Sequence, residues 1–261
     1  MPPNLQTNSC FSNIQPPVNW HGKRIIDRGE FDTYLQGKVY SRLMDEENPC
    51  VAELQALATT EMEVGYLEQL LASEQEPESW AIGEALAECL LADINGVRLP
   101  WNTARDKRTP KASLPGADLI GFWVEENDVF LLFGEVKTSN DTQTPPGVMK
   151  GGTGMIHQLE DLATNRELHQ SLLKWLRPRC QQSEFLELYQ AATKQYIKSR
   201  GRALVLCGLL MRDTNPDERD LKNRAQALAN KVAEPMRVEL TAWYCPRPID
   251  EWPQTATGGT G

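Results

Sequence analysis

The chain of 261 residues has no long hydrophobic run. Its most apolar stretch, ALVLCGLLM at residues 203–211, is far short of the roughly 20 residues a membrane-spanning helix needs, so no membrane segment is expected. The N-terminal MPPNLQTNSCFSNIQPP has neither a basic nor an apolar signal region, so no secretory leader is expected. The six cysteines lie far apart and none forms a C-x-x-C pair. That spacing argues against a zinc site or a disulfide framework and for reduced thiols in a cytoplasmic protein. There is no internal repeat. An excess of basic charge is also missing, since the net charge is −9.

What is present is unevenly placed. Residues 1–79 hold five Lys/Arg and thirteen Asp/Glu, a net of −8, so residues 80–261 are close to neutral at −1. An acidic N-terminal third leaves the remainder able to present a basic face, and nucleic-acid binding, if it occurs, is local. The hydrophobic fraction of 40% and the charged fraction of 24% are those of a soluble globular protein with a core of useful size.

Local patterns give the organisation. Residues 1–20, rich in Pro, Asn and Ser, read as an irregular arm. Residues 29–72 read as helices, and the chain up to residue 78 as an arm with a helical extension. A helix is expected over 79–93, with Ile82, Leu86 and Leu90 on one side and Asn95-Gly96 as its stop. Residues 97–101 could form a short strand, and 102–115 read as a loop. Two strands follow around the polar turn Glu125-Glu126-Asn127-Asp128, whose charges read as solvated. After the Gly/Pro-rich loop 140–152 come helices from near 153 past 162, over 167–176 and over 184–199. A buried strand over 202–212, a helix over 218–233 and a strand over 238–245 complete the chain, with 255–261 read as a disordered tail. Helix, hairpin, crossover helices and further strands give an α/β fold, a mixed central sheet flanked by helices, spanning 79–254.

The hairpin, GADLIGFWVEENDVFLLFGEVKTS at residues 116–139, carries charges where a buried sheet does not need them. Side chains alternate along a strand, so Glu135 and Lys137 project from one face. With the turn centred on Glu126-Asn127, position 118 pairs near position 135, and cross-strand Cβ atoms lie about 5 Å apart. Asp118, Glu135 and Lys137 should therefore cluster at one end of the hairpin. Two carboxylates so close repel when both are ionised. A hard divalent cation, Mg²⁺ or Mn²⁺, relieves that repulsion, and the lysine sets a fixed positive charge beside it.

With Leu-Pro-Gly-Ala before it, this Asp118 and Glu135-Val136-Lys137 pattern resembles the core of the PD-(D/E)XK nuclease superfamily over roughly residues 80–211. The resemblance implies a restriction-endonuclease-like core and metal-dependent hydrolysis of phosphodiesters. It implies that Asp118, Glu135 and the Val136 carbonyl hold the metal and that Lys137 works on the attacking water. Many members add a Glu on the preceding helix, which Glu84 matches here, and a Gln on the following helix, which Gln158 matches. The residues just before Asp118 are Gly-Ala rather than Pro, a departure the superfamily tolerates. Small nucleases of this build also resemble effector subunits of bacterial anti-phage systems, the Hachiman nuclease subunit among them, in which a helicase or sensor partner controls cutting. DNA is favoured over RNA by resemblance alone. A restriction endonuclease and a catalytically silent binding subunit are the alternatives.

Other signals are weaker. Arg105, Lys107, Arg108, Lys111 and Lys150 are candidate phosphate contacts, as are Lys194, Lys198, Arg200 and Arg202. Asp220-Leu221-Lys222 repeats the acid-x-lysine spacing but has no partner hairpin and reads as a polar helix. Residues 147–153 (GVMKGGT) lack the lysine of a phosphate-binding loop and read as a mobile loop beside the site. The lone His157 reads as structural.

Overall fold

The computed structural model describes residues 5–71, 76–106 and 116–259. Its first elements correct the sequence reading. Residues expected as an irregular arm form two antiparallel strands, β1 (Thr7–Asn13) and β2 (Val18–Ile25). Val18 and Trp20 of β2 are buried in the core on one face of the sheet while Asn19 and His21 between and after them are half-buried, and Ile25 at the strand's end is buried in the core on the other face. The helical extension follows as expected. It comprises α1 (Arg28–Tyr34), which passes through a π turn into α2 (Tyr40–Met44), then α3 (Pro49–Leu57) and α4 (Glu61–Leu71). α5 (Ser79–Asn95) ends where anticipated, with Gly96 in the left-handed conformation at φ 65°. The short strand expected near 97–101 reduces to a single bridge between Arg98 and Phe122.

The hairpin strands are β3 (Leu119–Val124) and β4 (Val129–Ser139). They are followed by α6 (Met155–Thr164), α7 (Arg166–Arg179), α8 (Ser183–Lys198), β5 (Leu204–Arg212), α9 (Lys222–Ala229), β6 (Arg237–Tyr244) and α10 (Trp252–Ala256). The tail is corrected in part, since Thr255 and Ala256 are buried in α10. All six strands join one mixed sheet in the order β1-β2-β6-β5-β4-β3. β2, β6, β5 and β4 run parallel to their neighbours, and the antiparallel β1 and β3 close the two edges. Strands from both sides of residue 78 thus share a single sheet.

Helices cover both faces, which is what a largely parallel sheet requires. On one side Leu131 and Phe133 of β4 pack with Leu159 of α6, Leu172 and Leu176 of α7, Ala192 of α8 and Leu228 of α9. On the other, Leu132 and Val136 of β4 pack with Ile82 and Leu86 of α5, Phe31 of α1 and Trp252 of α10. Each such fully buried large side chain contributes about 1.5–3 kcal/mol. Among the described residues, no helix is long and apolar enough to cross a membrane.

The Asp220-Leu221-Lys222 triplet is not a polar helix face. Asp220 is fully buried in a short 3-10 turn, 3.4 Å from the guanidinium of the equally buried Arg212, and accepts a 2.8 Å bond from the Tyr244 hydroxyl. Removing one partner of a buried ion pair strands the other charge, so Asp220→Ala should cost about 3–5 kcal/mol. Urea unfolding checks this, and a loss within experimental error of zero would show that Arg212 needs no counter-charge.

Candidate active site

The β3–β4 register delivers the expected cluster. Leu119 pairs with Gly134 and Val124 with Val129, and the turn closes through a 2.8 Å bond from Glu125 N to Asp128 O. Extending that register by one residue sets Asp118 opposite Glu135. Asp118 is held twice at this strand end. Its backbone N–H donates to the Gly134 carbonyl (3.0 Å), and its Oδ2 accepts from the Val136 N–H (2.9 Å). The N–H and C=O of one strand residue face the same neighbour. The Val136 carbonyl therefore points toward the Asp118 side, beyond the last β3 pair.

Glu135 and Lys137 lie on the α6 side of β4, as alternation demands. Glu135 is 2% exposed, and the Lys137 Nζ donates to its Oε2 at 3.3 Å. The neighbour of Glu135 on β5 is Gly208. A Cβ there would come within 2.9 Å of Leu159 and 3.0 Å of Met155, so the bare backbone lets α6 close down beside Glu135. Gln158 lies between those two α6 residues, and its buried Oε1 has no hydrogen-bond partner among the described residues. A buried acceptor left without a partner is costly and uncommon.

Burial is the largest influence on Glu135 and pushes its carboxyl up. The nearby Asp118 charge adds to this, Lys137 opposes it, and a hydrogen bond shared with Asp118 raises it further; the result is about 8 against an ordinary 4.5. A carboxyl raised by burial and by a second carboxylate beside it is an arrangement that a cation would relieve. The donors are all oxygen, which suits Mg²⁺ or Mn²⁺. Among the described residues no group of three or more His, Cys, Asp or Glu is arranged to hold a metal. The acids brought together here are two, Asp118 and Glu135, a number Mg²⁺ commonly takes while keeping waters and substrate oxygens. Glu84 is half-buried on α5, which packs on the opposite sheet face, and does not join Asp118 and Glu135 in a three-acid group.

The basic candidates divide. Arg105 is committed elsewhere, bonded to Asp45 at 2.7 Å and lying over the Trp101 ring at 4.8 Å. Lys107, Arg108 and Lys111 fall outside the described residues. Lys150 is exposed on the loop that leaves β4, at the site's end of the sheet. The first part of that loop, ahead of the segment read as mobile, is tied down. Arg212 donates to the carbonyls of Asp141 (2.6 Å) and Gln143 (3.1 Å), and Asp141 accepts from the Gly147 N–H (3.0 Å). Arg212 was not anticipated, although a lone arginine closing an all-apolar strand is a sequence signal for it. Lys194, Lys198, Arg200 and Arg202 are exposed but sit at the opposite pole, where Gln195 of α8 bonds the turn residue Asp128 at 2.8 Å. The turn charges are not simply solvated either, for Glu125 bonds Arg237 at 2.7 Å. His157 is exposed.

No protein-family model and no curated protein matches this chain.

The raised Glu135 carboxyl gives a sign-defined pH dependence for the metal-free protein. Between 4.5 and about 8 the folded chain holds a proton that the unfolded chain releases. Stability from this group is complete below the unfolded value and is lost as pH rises through the folded one. Thermal melting in EDTA should show wild type losing ground to Glu135→Gln between these limits, with the difference level above them. A pH-independent difference would contradict the shared proton.

Proposed function

We propose that the protein is a metal-dependent nuclease that hydrolyses phosphodiester bonds, with Asp118, Glu135 and Lys137 at its centre. The observation that carries the reading is a buried Glu135 beside the half-buried Asp118, with an ammonium 3.3 Å from the Glu135 carboxylate, at the end of a hairpin. A surface ion cluster has no physical reason to sink a carboxylate to 2% exposure beside a second one.

Asp118, Glu135 and the Val136 carbonyl are the groups that would hold Mg²⁺ or Mn²⁺. Bound there, the ion supplies Lewis-acid stabilisation of phosphoryl oxygens and a lowered pKa for a ligated water. The Val136 N–H fixes Asp118 Oδ2, so this carboxylate is oriented before any ligand arrives. Lys137 holds a positive charge beside Glu135, where it can orient an attacking water or meet negative charge as it develops on phosphorus. The unsatisfied Gln158 oxygen is free to accept a hydrogen bond from that water.

DNA as the preferred substrate follows from the resemblance to PD-(D/E)XK nucleases. A role as an effector in bacterial anti-phage defence follows from the same resemblance, and a protein partner such as a helicase or sensor is supported by α3 and α4. Leu57, Met62, Tyr66 and Leu70 are strongly exposed there, on a segment rich in Glu. A cytoplasmic location is supported by the six cysteines, all free.

Supercoiled plasmid and labelled DNA and RNA oligonucleotides, incubated with Mg²⁺ or Mn²⁺, test the reading. Wild type should cut, EDTA should stop it, and Glu135→Ala or Lys137→Ala should each slow cutting by about 100-fold or more. Cutting that survives both substitutions would remove the site assignment. Wild type that cuts nothing alone with either metal calls for the same assay with a co-purified helicase partner, and no cutting there either would leave the chain as a silent binding subunit.

A further inference from the structure

We propose that the groove between α7 and α8 binds a single-stranded nucleic-acid segment on the side of α7 facing away from the hairpin. This rests on the nuclease reading and adds the form of the substrate to it.

α7 has two working faces. His169, Leu172 and Leu176 point into the core. Arg166, Leu173, Lys174 and Arg177 share another stripe at helical spacing and line a cavity of about 430 Å³ with Tyr189 and Tyr196 of α8. None of the residues lining the cavity is acidic. Arg166, Lys174 and Arg177 are exposed and form no ion pair among the described residues. Other cations of the chain are tied to acids, as in Arg42 with Glu88, Arg105 with Asp45, Arg179 with Asp106 and Arg237 with Glu125, and among the described residues those that are not do not line a common cavity with aromatic rings as these three do. In a protein of net charge −9, three unpaired cations in one acid-free groove are a local reversal of sign.

The chemistry favours a single strand. From Arg166 to Arg177 the row spans about 16 Å at 1.5 Å per helical residue, enough to track a few consecutive phosphates of a strand. Tyr189 and Tyr196 supply aromatic surface, and the Arg177 guanidinium lies 5.9 Å from the Tyr189 ring centroid. A cationic track with aromatic faces is how unpaired strands are held, with phosphates on the charges and bases on the rings. The opposite side of α7 touches the hairpin. Around Gly116, two residues before Asp118, a Cβ would lie 3.2 Å from Leu172 and 3.5 Å from Leu168. One helix diameter, about 10 Å, therefore separates the groove from the start of the catalytic strand.

Fluorescence anisotropy of a labelled oligo-dT with the full chain in EDTA tests the groove without any cutting. Wild type and Lys137→Ala should bind alike. Reversing Arg166, Lys174 and Arg177 to Glu should weaken binding at least about tenfold and flatten the log K against log salt slope by about 2. The neutral triple Gln variant should fall between, with melting unchanged for both triples, because these side chains are exposed. Three results would each overturn the proposal: unchanged binding by a folded triple variant, tighter binding of duplex than of single strand, or displacement of the strand by poly-Glu at equal charge. Loss of cutting with groove binding intact would count against the nuclease reading alone.

Discussion

The enforced closeness of Asp118 and Glu135 is the constraint on which the rest of the site depends. Two carboxylates this near each other cannot both be ionised at low cost in a buried position. The fold accepts the conflict and stabilises it locally, with the Val136 N–H on one acid and the Lys137 ammonium on the other. Neither compensation is complete, since Glu135 still holds its proton to about pH 8. On the proposed reading a divalent cation would remove that residual strain, so the feature that weakens the metal-free fold would favour binding of the metal.

The sheet is organised to hold this conflict steady. β4 has β3 on one side and β5 on the other, so Glu135 cannot move out of the ladder without breaking pairing. Gly208 keeps the neighbouring strand bare and lets α6 bring Gln158 toward the same face. The buried Arg212–Asp220 pair anchors the loop that leaves β4. A buried pair of this kind is weak as a source of stability but specific in the geometry it imposes. Here it sets the loop carrying Lys150 at the site's end of the sheet.

The hairpin register could be read from the sequence because it depends on local facts: two apolar alternations, a polar turn, and the arithmetic of pairing. The end of α5 was legible for a similar reason, since Asn95-Gly96 is a local stop. β1 and β2 were not. β1 is an edge strand with most of its side chains exposed, so it has no apolar alternation to show, and β2 is ordered by pairing with β6 from the far end of the chain. Arg105 was misjudged for the same physical reason: its counter-charge is Asp45, brought to it only by the folded N-terminal helices. Basic residues reveal phosphate contacts only after their acidic partners are known. The cations of α7 stand out because they line one cavity with no acidic residue in its lining.

The central claim is that Asp118 and Glu135 exchange a shared proton for a divalent cation. Calorimetric titration of Mn²⁺ into wild type and Glu135→Gln, below pH 8 and in two buffers of different ionisation enthalpy, measures that exchange directly. Wild type should bind the ion with release of a proton, seen as a buffer-dependent heat, and the Gln variant should not bind it at this site. Equal binding by both proteins, or binding whose heat is the same in both buffers, would contradict it.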